Sequence, residues 1–190
     1  MGWAIPALWL IWAVIWGVWA TGTKQTVRRE SRASRLGYHV PLLAGVALLV
    51  LPWPGGGGVR LLPHGVLWFW TGTALVALGM GFAVAARAYL GRNWSGTVTL
   101  KAGHELIRTG PYRLVRRPIY TGMLLAFVGT AAARGDLRGL VALALVVLSF
   151  LLKLRIEERF MAKQFPLEYP GYKQRTPALI PGLALLGGGR

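Results

Sequence analysis

Two short segments concentrate nearly all the residues of this chain that could do chemistry. The first is HELIRTGPYRLVRRPIYTG, His104 to Gly122, with Tyr112, Arg116, Arg117 and Tyr120 set among two prolines and the glycines Gly110 and Gly122. The second is Lys153-Leu154-Arg155-Ile156-Glu157-Glu158-Arg159-Phe160, which holds two of the six acids. A carboxylate can accept hydrogen bonds from an amine or a ribose. An arginine can grip a carboxylate with two parallel hydrogen bonds, and a tyrosine can pack against a cation. Together these groups suit a polar, charged ligand. A purely structural account also exists: the arginines anchor lipid headgroups, the tyrosines belong to an interfacial belt, and Glu157 or Glu158 pairs with Arg155, Arg159 or Arg116. Composition leaves both accounts open, and a buried carboxylate facing a cationic ligand satisfies both.

The elements that must position these segments are apolar. Gly2 to Thr23 is uncharged and holds five of the nine tryptophans, Trp3, Trp9, Trp12, Trp16 and Trp19. A second run, Tyr38 to Trp53, stops at the Pro54 to Gly58 break, and a third extends from Gly65 to Ala86. Pro118 to Ala133 and Gly139 to Leu152 follow, separated by Arg134-Gly135-Asp136-Leu137-Arg138 as in a tight hairpin. Gly110-Pro111 reads as a turn, and Pro118 fits the first turn of the fourth run. A helix is predicted from Lys153 through Lys163, and Gly182 to Arg190, with Gly187-Gly188-Gly189, reads as a loose tail. The fold class is therefore all-α, a polytopic integral membrane bundle of about five helices. Residues 1–86 hold three spans; residues 87–190 hold the connector, the two-helix hairpin and the tail.

Of 190 residues, 54% are hydrophobic and 15% charged, too few charges to coat a soluble domain of this size. Mean hydropathy is +0.48. Lys and Arg number 22 against six acids, a net charge of +16. These cations gather in Lys24 to Arg35, in Arg87 to Arg117 and in the tail, whereas the intervening loops carry few. Such alternation is the positive-inside pattern rather than a nucleic-acid footprint. It predicts an external N-terminus and a cytoplasmic C-terminus, with both chemical segments on the cytoplasmic side. Few ionisable residues fall within the spans, which argues against an ion path. The absence of cysteine excludes disulfides, thiolate metal sites and a cysteine nucleophile, and no metal site is expected.

GPYRLVRRPIYTG, then RIEERF, then FPLEYPGYKQRTPALIP resembles the isoprenylcysteine carboxyl methyltransferase family, within a wider group that includes phospholipid N-methyltransferases. The likeness covers residues 90 to 182. It implies S-adenosylmethionine as methyl donor, bound on the cytoplasmic side beneath the last two spans, and a lipophilic acceptor reaching the site from the membrane. It places His104, Leu106, Gly110, Pro111, Tyr112, Arg116, Arg117, Pro118, Tyr120, Gly122, Glu157 and Glu158 at the cofactor. Arg155 and Glu158 take catalytic roles, and Tyr169, Tyr172 and Arg175 match the closing element. Arg117 stands where the family motif has histidine. The resemblance implies a prokaryotic cytoplasmic membrane enzyme whose acceptor could be a prenylcysteine carboxylate, another lipid, a thiol or an amine. A nicotinamide-dependent sterol-type reductase and a non-catalytic scaffold are the competing readings.

Overall fold

The computed structural model of the chain describes residues 2–20, 26–29, 32–51, 59–63, 65–91, 94, 99–101 and 106–182. The Pro54 to Gly58 break, His104 and the tail beyond Gly182 lie outside them. In chain order the elements are α1 (Ala4–Ala20), β1 (Thr26–Arg29), α2 (Arg32–Val50), α3 (Val66–Leu90) and β2 (Thr99–Lys101). There follow α4 (Pro111–Leu114), α5 (Pro118–Arg134), α6 (Leu137–Gln164) and α7 (Tyr169–Arg175).

Each apolar run becomes one helix, because a backbone in lipid can satisfy its polar groups only within the helix itself. Three of these, α2, α3 and α6, are long and apolar enough to cross a membrane. The other two, α1 and α5, have 17 residues each, at the short limit for a span. The fold is a membrane helical bundle. The fifth run and the polar helix predicted after it form one continuous 28-residue helix, α6. Rising about 1.5 Å per residue, α6 puts Glu157 about 30 Å from Leu137, the thickness of a hydrocarbon core. Its last turns therefore stand beyond that layer.

Two antiparallel helix pairs form the bundle. In α3 and α5, Gly72 faces Gly129 and Gly79 faces Gly122, so closely that a Cβ on any of them would collide with the opposite backbone. Small residues at such a seam let backbones pack without a hydrophobic driving force. In the second pair, Ser149 Oγ donates to the Tyr38 carbonyl at 2.7 Å, and Gly45 lies against Ala142 and Val146. α1 leans on α3 and α5: Ile5 packs with Val76, Met80 and Ala126, and Trp9 Nε1 donates to Thr130 Oγ1 at 3.1 Å. Buried Arg87 ties the end of α3 to that of α1, donating to the Trp19 carbonyl at 2.9 Å with its guanidinium 4.2 Å over Trp94.

These contacts put the C-terminal ends of α1, α3 and α6 and the N-terminal ends of α2 and α5 at one end of the bundle. There β1 pairs antiparallel with β2, joining the two basic loops. Both strands are short and lie in the basic loops, so hydropathy gave no sign of this ribbon, although Val98-Thr99-Leu100-Lys101 alternates. At the opposite end the α5–α6 turn is a tight hairpin. Gly135 takes φ 63°, Arg134 meets Asp136 at 2.9 Å, and Asp136 caps α6 by accepting from the Gly139 N–H at 2.7 Å.

Candidate functional site

The two chemical segments meet at the end of the bundle where the basic loops gather. Pro111 opens α4 and Pro118 opens α5 at positions where a missing N–H costs nothing. Gly110 reverses the chain with φ 57° beside the ring of Tyr89, where a Cβ would come within 2.7 Å. This left-handed conformation favours glycine. Arg116 and Arg117 occupy the short link between α4 and α5 and point at α6.

The last segment of the chain straps this link in place. The backbone N–H groups of Arg116 and Arg117 donate to the carbonyls of Pro177 and Ala178 at 2.8 and 2.9 Å, and Thr121 Oγ1 donates to the Leu179 carbonyl at 2.6 Å. Tyr172 donates to the Tyr112 carbonyl at 2.6 Å. Both tyrosines are buried, which raises their pKa values; that of Tyr172 is pushed up to about 12.

Two ion clusters result. Arg116, only 4% exposed, donates through Nε to Glu158 Oε1 at 3.0 Å and through a terminal nitrogen to the same oxygen. Its other terminal nitrogen donates to the carbonyls of Lys173, at 3.0 Å, and Thr176. Lys173 Nζ approaches the second Glu158 oxygen at 2.9 Å. Beside this, Glu157 accepts from the Tyr120 hydroxyl and faces Arg117 Nε at 2.9 Å. Arg117 Nε lies there as an ion-pair partner without making a directed hydrogen bond. Burial acts to lower the Arg117 pKa, but the Glu157 carboxylate, with Tyr169, Tyr120 and Glu158, outweighs it and raises the pKa. The buried Tyr169 hydroxyl lies near Arg116 and Arg117 in a geometry that also makes no hydrogen bond.

Of the residues singled out in the sequence, Arg116, Arg117, Tyr120, Glu157 and Glu158 come together directly, and Tyr112, Pro111 and Pro118 frame them. Leu106 is half-buried in the extended stretch before Gly110. Gly122 lies in the α3–α5 seam, where it sets the depth of α5 rather than reaching the carboxylates. Arg155 is exposed and lines an outer cleft with Arg159 and Lys173, away from Tyr120. His104 is outside the described residues. Sequence reading missed Lys173 and gave no role to Lys153, although it opens the second segment. Lys153 Nζ sits 5.5 Å from the Tyr120 ring and 5.4 Å from the Tyr38 ring, and Tyr120 stacks on Phe150 at 5.0 Å. The available signal was spacing: Lys153 precedes Glu157 by four residues and so shares its helix face.

Arg117 Nε faces Glu157, and the Tyr169 hydroxyl lies beside Arg116, next to the two carboxylates. The setting therefore suits a zwitterionic ligand whose amine and carboxylate exchange with these groups. The aromatic and apolar neighbours Tyr38, Tyr120 and Phe150 lie on the membrane side of the carboxylates.

Residues 67–168 match the phospholipid methyltransferase family. The chain is 36% identical over 122 residues to the cobalt-zinc-cadmium resistance protein CzcN of Cupriavidus metallidurans, covering 63% of this chain and 55% of that protein. It is 32% identical over 118 residues to the protein-S-isoprenylcysteine O-methyltransferase of Saccharomyces cerevisiae, covering 58% of this chain and 47% of that one. A stretch of 73 residues, 38% of this chain and 27% of the relative, is 37% identical to methanethiol S-methyltransferase 2 of Bradyrhizobium diazoefficiens. The chain spans about half the length of the first two relatives.

Proposed function

The chain belongs to the phospholipid methyltransferase family, and on that premise we propose that it transfers a methyl group from S-adenosylmethionine to a lipophilic acceptor at the cytoplasmic membrane interface. The observation that carries this reading is the pair Glu157 and Glu158, each held by an arginine of the α4–α5 link at the depth where α6 leaves the hydrocarbon layer. The relatives named as isoprenylcysteine and methanethiol methyltransferases favour methyl transfer over the reductase and scaffold readings. A prenylcysteine carboxylate is the acceptor proposed, by similarity to the yeast relative. Among the described residues no group of three or more His, Cys, Asp or Glu could hold a metal ion.

S-adenosylmethionine supplies a methyl group on a positively charged sulfur, and transfer is an in-line displacement that depends on alignment. Glu157 and Glu158 would accept hydrogen bonds from the cofactor's amine or ribose, and Arg117 would pair with its carboxylate. Tyr120, stacked on Phe150, would offer an electron-rich ring to a cationic sulfur. Lys153, on the same membrane-facing side, holds an acidic acceptor. Phe150 and Leu154, both packed against Tyr120, would keep water from the acceptor. A carboxylate or thiolate acceptor needs no base, whereas an amine would have to lose a proton.

We assign five spans, counting α1 and α5, with the N-terminus outside and the C-terminus in the cytoplasm of a prokaryotic cell. The division into residues 1–86 and 87–190 is functional rather than mechanical, since α3 and α5 share a seam across it. The test is binding and turnover with purified protein. Labelled S-adenosylmethionine binds and its methyl group appears on farnesylcysteine, NADPH does not bind, and Lys153→Met raises the acceptor KM while sparing cofactor affinity. Binding of NADPH without S-adenosylmethionine overturns the reading.

A further inference from the structure

The outer face of α6 carries positive charge at the edge of the proposed methyl-transfer site. Arg155 and Arg159 are exposed and four residues apart, so they project from one face of the helix. With Glu158, Ala162 and Tyr169, Pro170 and Lys173 they line an open cleft of about 370 Å³. The carboxylate of that lining, Glu158, is committed on one oxygen to Arg116 and on the other to Lys173. Neither Arg155 nor Arg159 pairs with a carboxylate among the described residues. The cleft thus has an excess of positive charge and no free anion of its own.

Toward the membrane the same face is apolar. Val141, Ala144, Leu148 and Leu152 lead to Arg155 and Arg159 at steps of three and four residues, which is the spacing of a single helix stripe. Val141 is 44% exposed and Leu148 47%. Leu148 lies about 10 Å along the helix from Arg155, on the bilayer side. A stripe that is apolar at hydrocarbon depth and cationic at the interface complements one kind of molecule, an amphiphile with an acyl chain and an anionic head. A soluble anion would use the cleft and leave the stripe idle.

We propose that this cleft binds the phosphate head of an anionic membrane phospholipid, with an acyl chain along Leu148 and Leu152. Arg155 and Arg159 hold the phosphate oxygens, and Lys173 adds long-range attraction. The cleft shares Glu158, Tyr169 and Lys173 with the proposed methyl-transfer site, but the lipid assignment rests on Arg155, Arg159 and the apolar stripe, and lipid retention tests it apart from cofactor binding. A phosphate group also occurs on soluble anions, and the experiment separates the two sources.

The full chain, purified in neutral detergent, is incubated with equal amounts of phosphatidylglycerol and phosphatidylcholine, and retained lipid is read by native mass spectrometry. The parent retains phosphatidylglycerol several-fold over phosphatidylcholine, and excess inorganic phosphate does not displace it. Arg155→Gln and Arg159→Gln each lose that preference, Arg155→Lys restores most of it, and Arg113→Gln, an exposed arginine outside the cleft, keeps it. Undiminished preference in both cleft variants overturns the proposal. So does equal loss in Arg113→Gln, which means diffuse attraction, or displacement by inorganic phosphate, which means a soluble ligand.

Discussion

Arg116 and Glu158 are the hinge between the two chemical segments: one guanidinium binds a carboxylate of α6 while donating to the carbonyls of Lys173 and Thr176. It therefore links the α4–α5 turn, α6 and the closing segment through a single side chain. Breaking a buried ion pair by removing one partner leaves the other charge uncompensated. Arg116→Met should lower the unfolding free energy by about 3 kcal/mol, read as a fall in melting temperature in detergent. Glu158→Gln, which keeps a hydrogen-bond acceptor, should cost less. Equal melting temperatures for Arg116→Met and the parent would remove this link from the account.

Tyr120 and Glu157 should matter to the cofactor more than to the fold. Tyr120→Phe removes a hydroxyl bound to Glu157, and Glu157→Gln removes the charge facing Arg117. A lost charge-assisted hydrogen bond costs about 1.5–3 kcal/mol, or roughly tenfold or more in affinity. Calorimetric titration with S-adenosylmethionine should show that weakening in both variants. Unchanged curves would place the cofactor elsewhere.

The α3–α5 seam sets how deep Tyr120 sits, since Gly122 lies two residues further along α5. Gly79→Ala puts a methyl group against the Gly122 carbonyl and within 2.7 Å of the Ala126 nitrogen. Overpacking of this kind costs about 1–3 kcal/mol and should depress both melting temperature and cofactor affinity. Gly81→Ala meets nothing within 4 Å and should be neutral or slightly stabilising, because alanine is the better helix former. A Gly79→Ala protein as stable as Gly81→Ala would contradict the close approach.

Alkaline pH should loosen the closing segment. Burial raises the Tyr172 pKa from 10.0 to about 12, against the lowering effect of Arg117 and Arg116. A group whose folded pKa is raised contributes stability that is complete below its unfolded pKa and disappears as pH passes the folded value. Stability should thus be lost between about pH 10 and about pH 12. Tyr172→Phe, which cannot ionise but also lacks the bond to the Tyr112 carbonyl, should start lower and show a shallower fall over that window. Parallel profiles for the two proteins would exclude Tyr172 as the titrating group.

The charged loops predict an orientation. A reporter fused after Arg190 should register as cytoplasmic, and one before Met1 as external. A clean external signal at the C-terminus would overturn the five-span arrangement.

The sequence by itself determined the membrane class, the turn and proline starts of α4 and α5, and the two segments that carry charge. These are local matters: an uncharged run of sufficient length has one stable state in lipid, and a Gly-Pro pair reads the same wherever it lies. Tertiary structure alone decided which charge meets which. Glu157 and Glu158 are neighbours in the chain, yet one turns to Arg117 and Tyr120 and the other to Arg116 and Lys173, because adjacent residues on a helix diverge by about 100°. The same rotation sends Arg155 to the outer cleft and Lys153 to the rings of Tyr38 and Tyr120. No composition or spacing within α6 says which face α2, α5 or α7 will cover. That depends on the glycine seams that set the distances between helices, and on the closing strap that brings Lys173 back to a carboxylate 15 residues earlier.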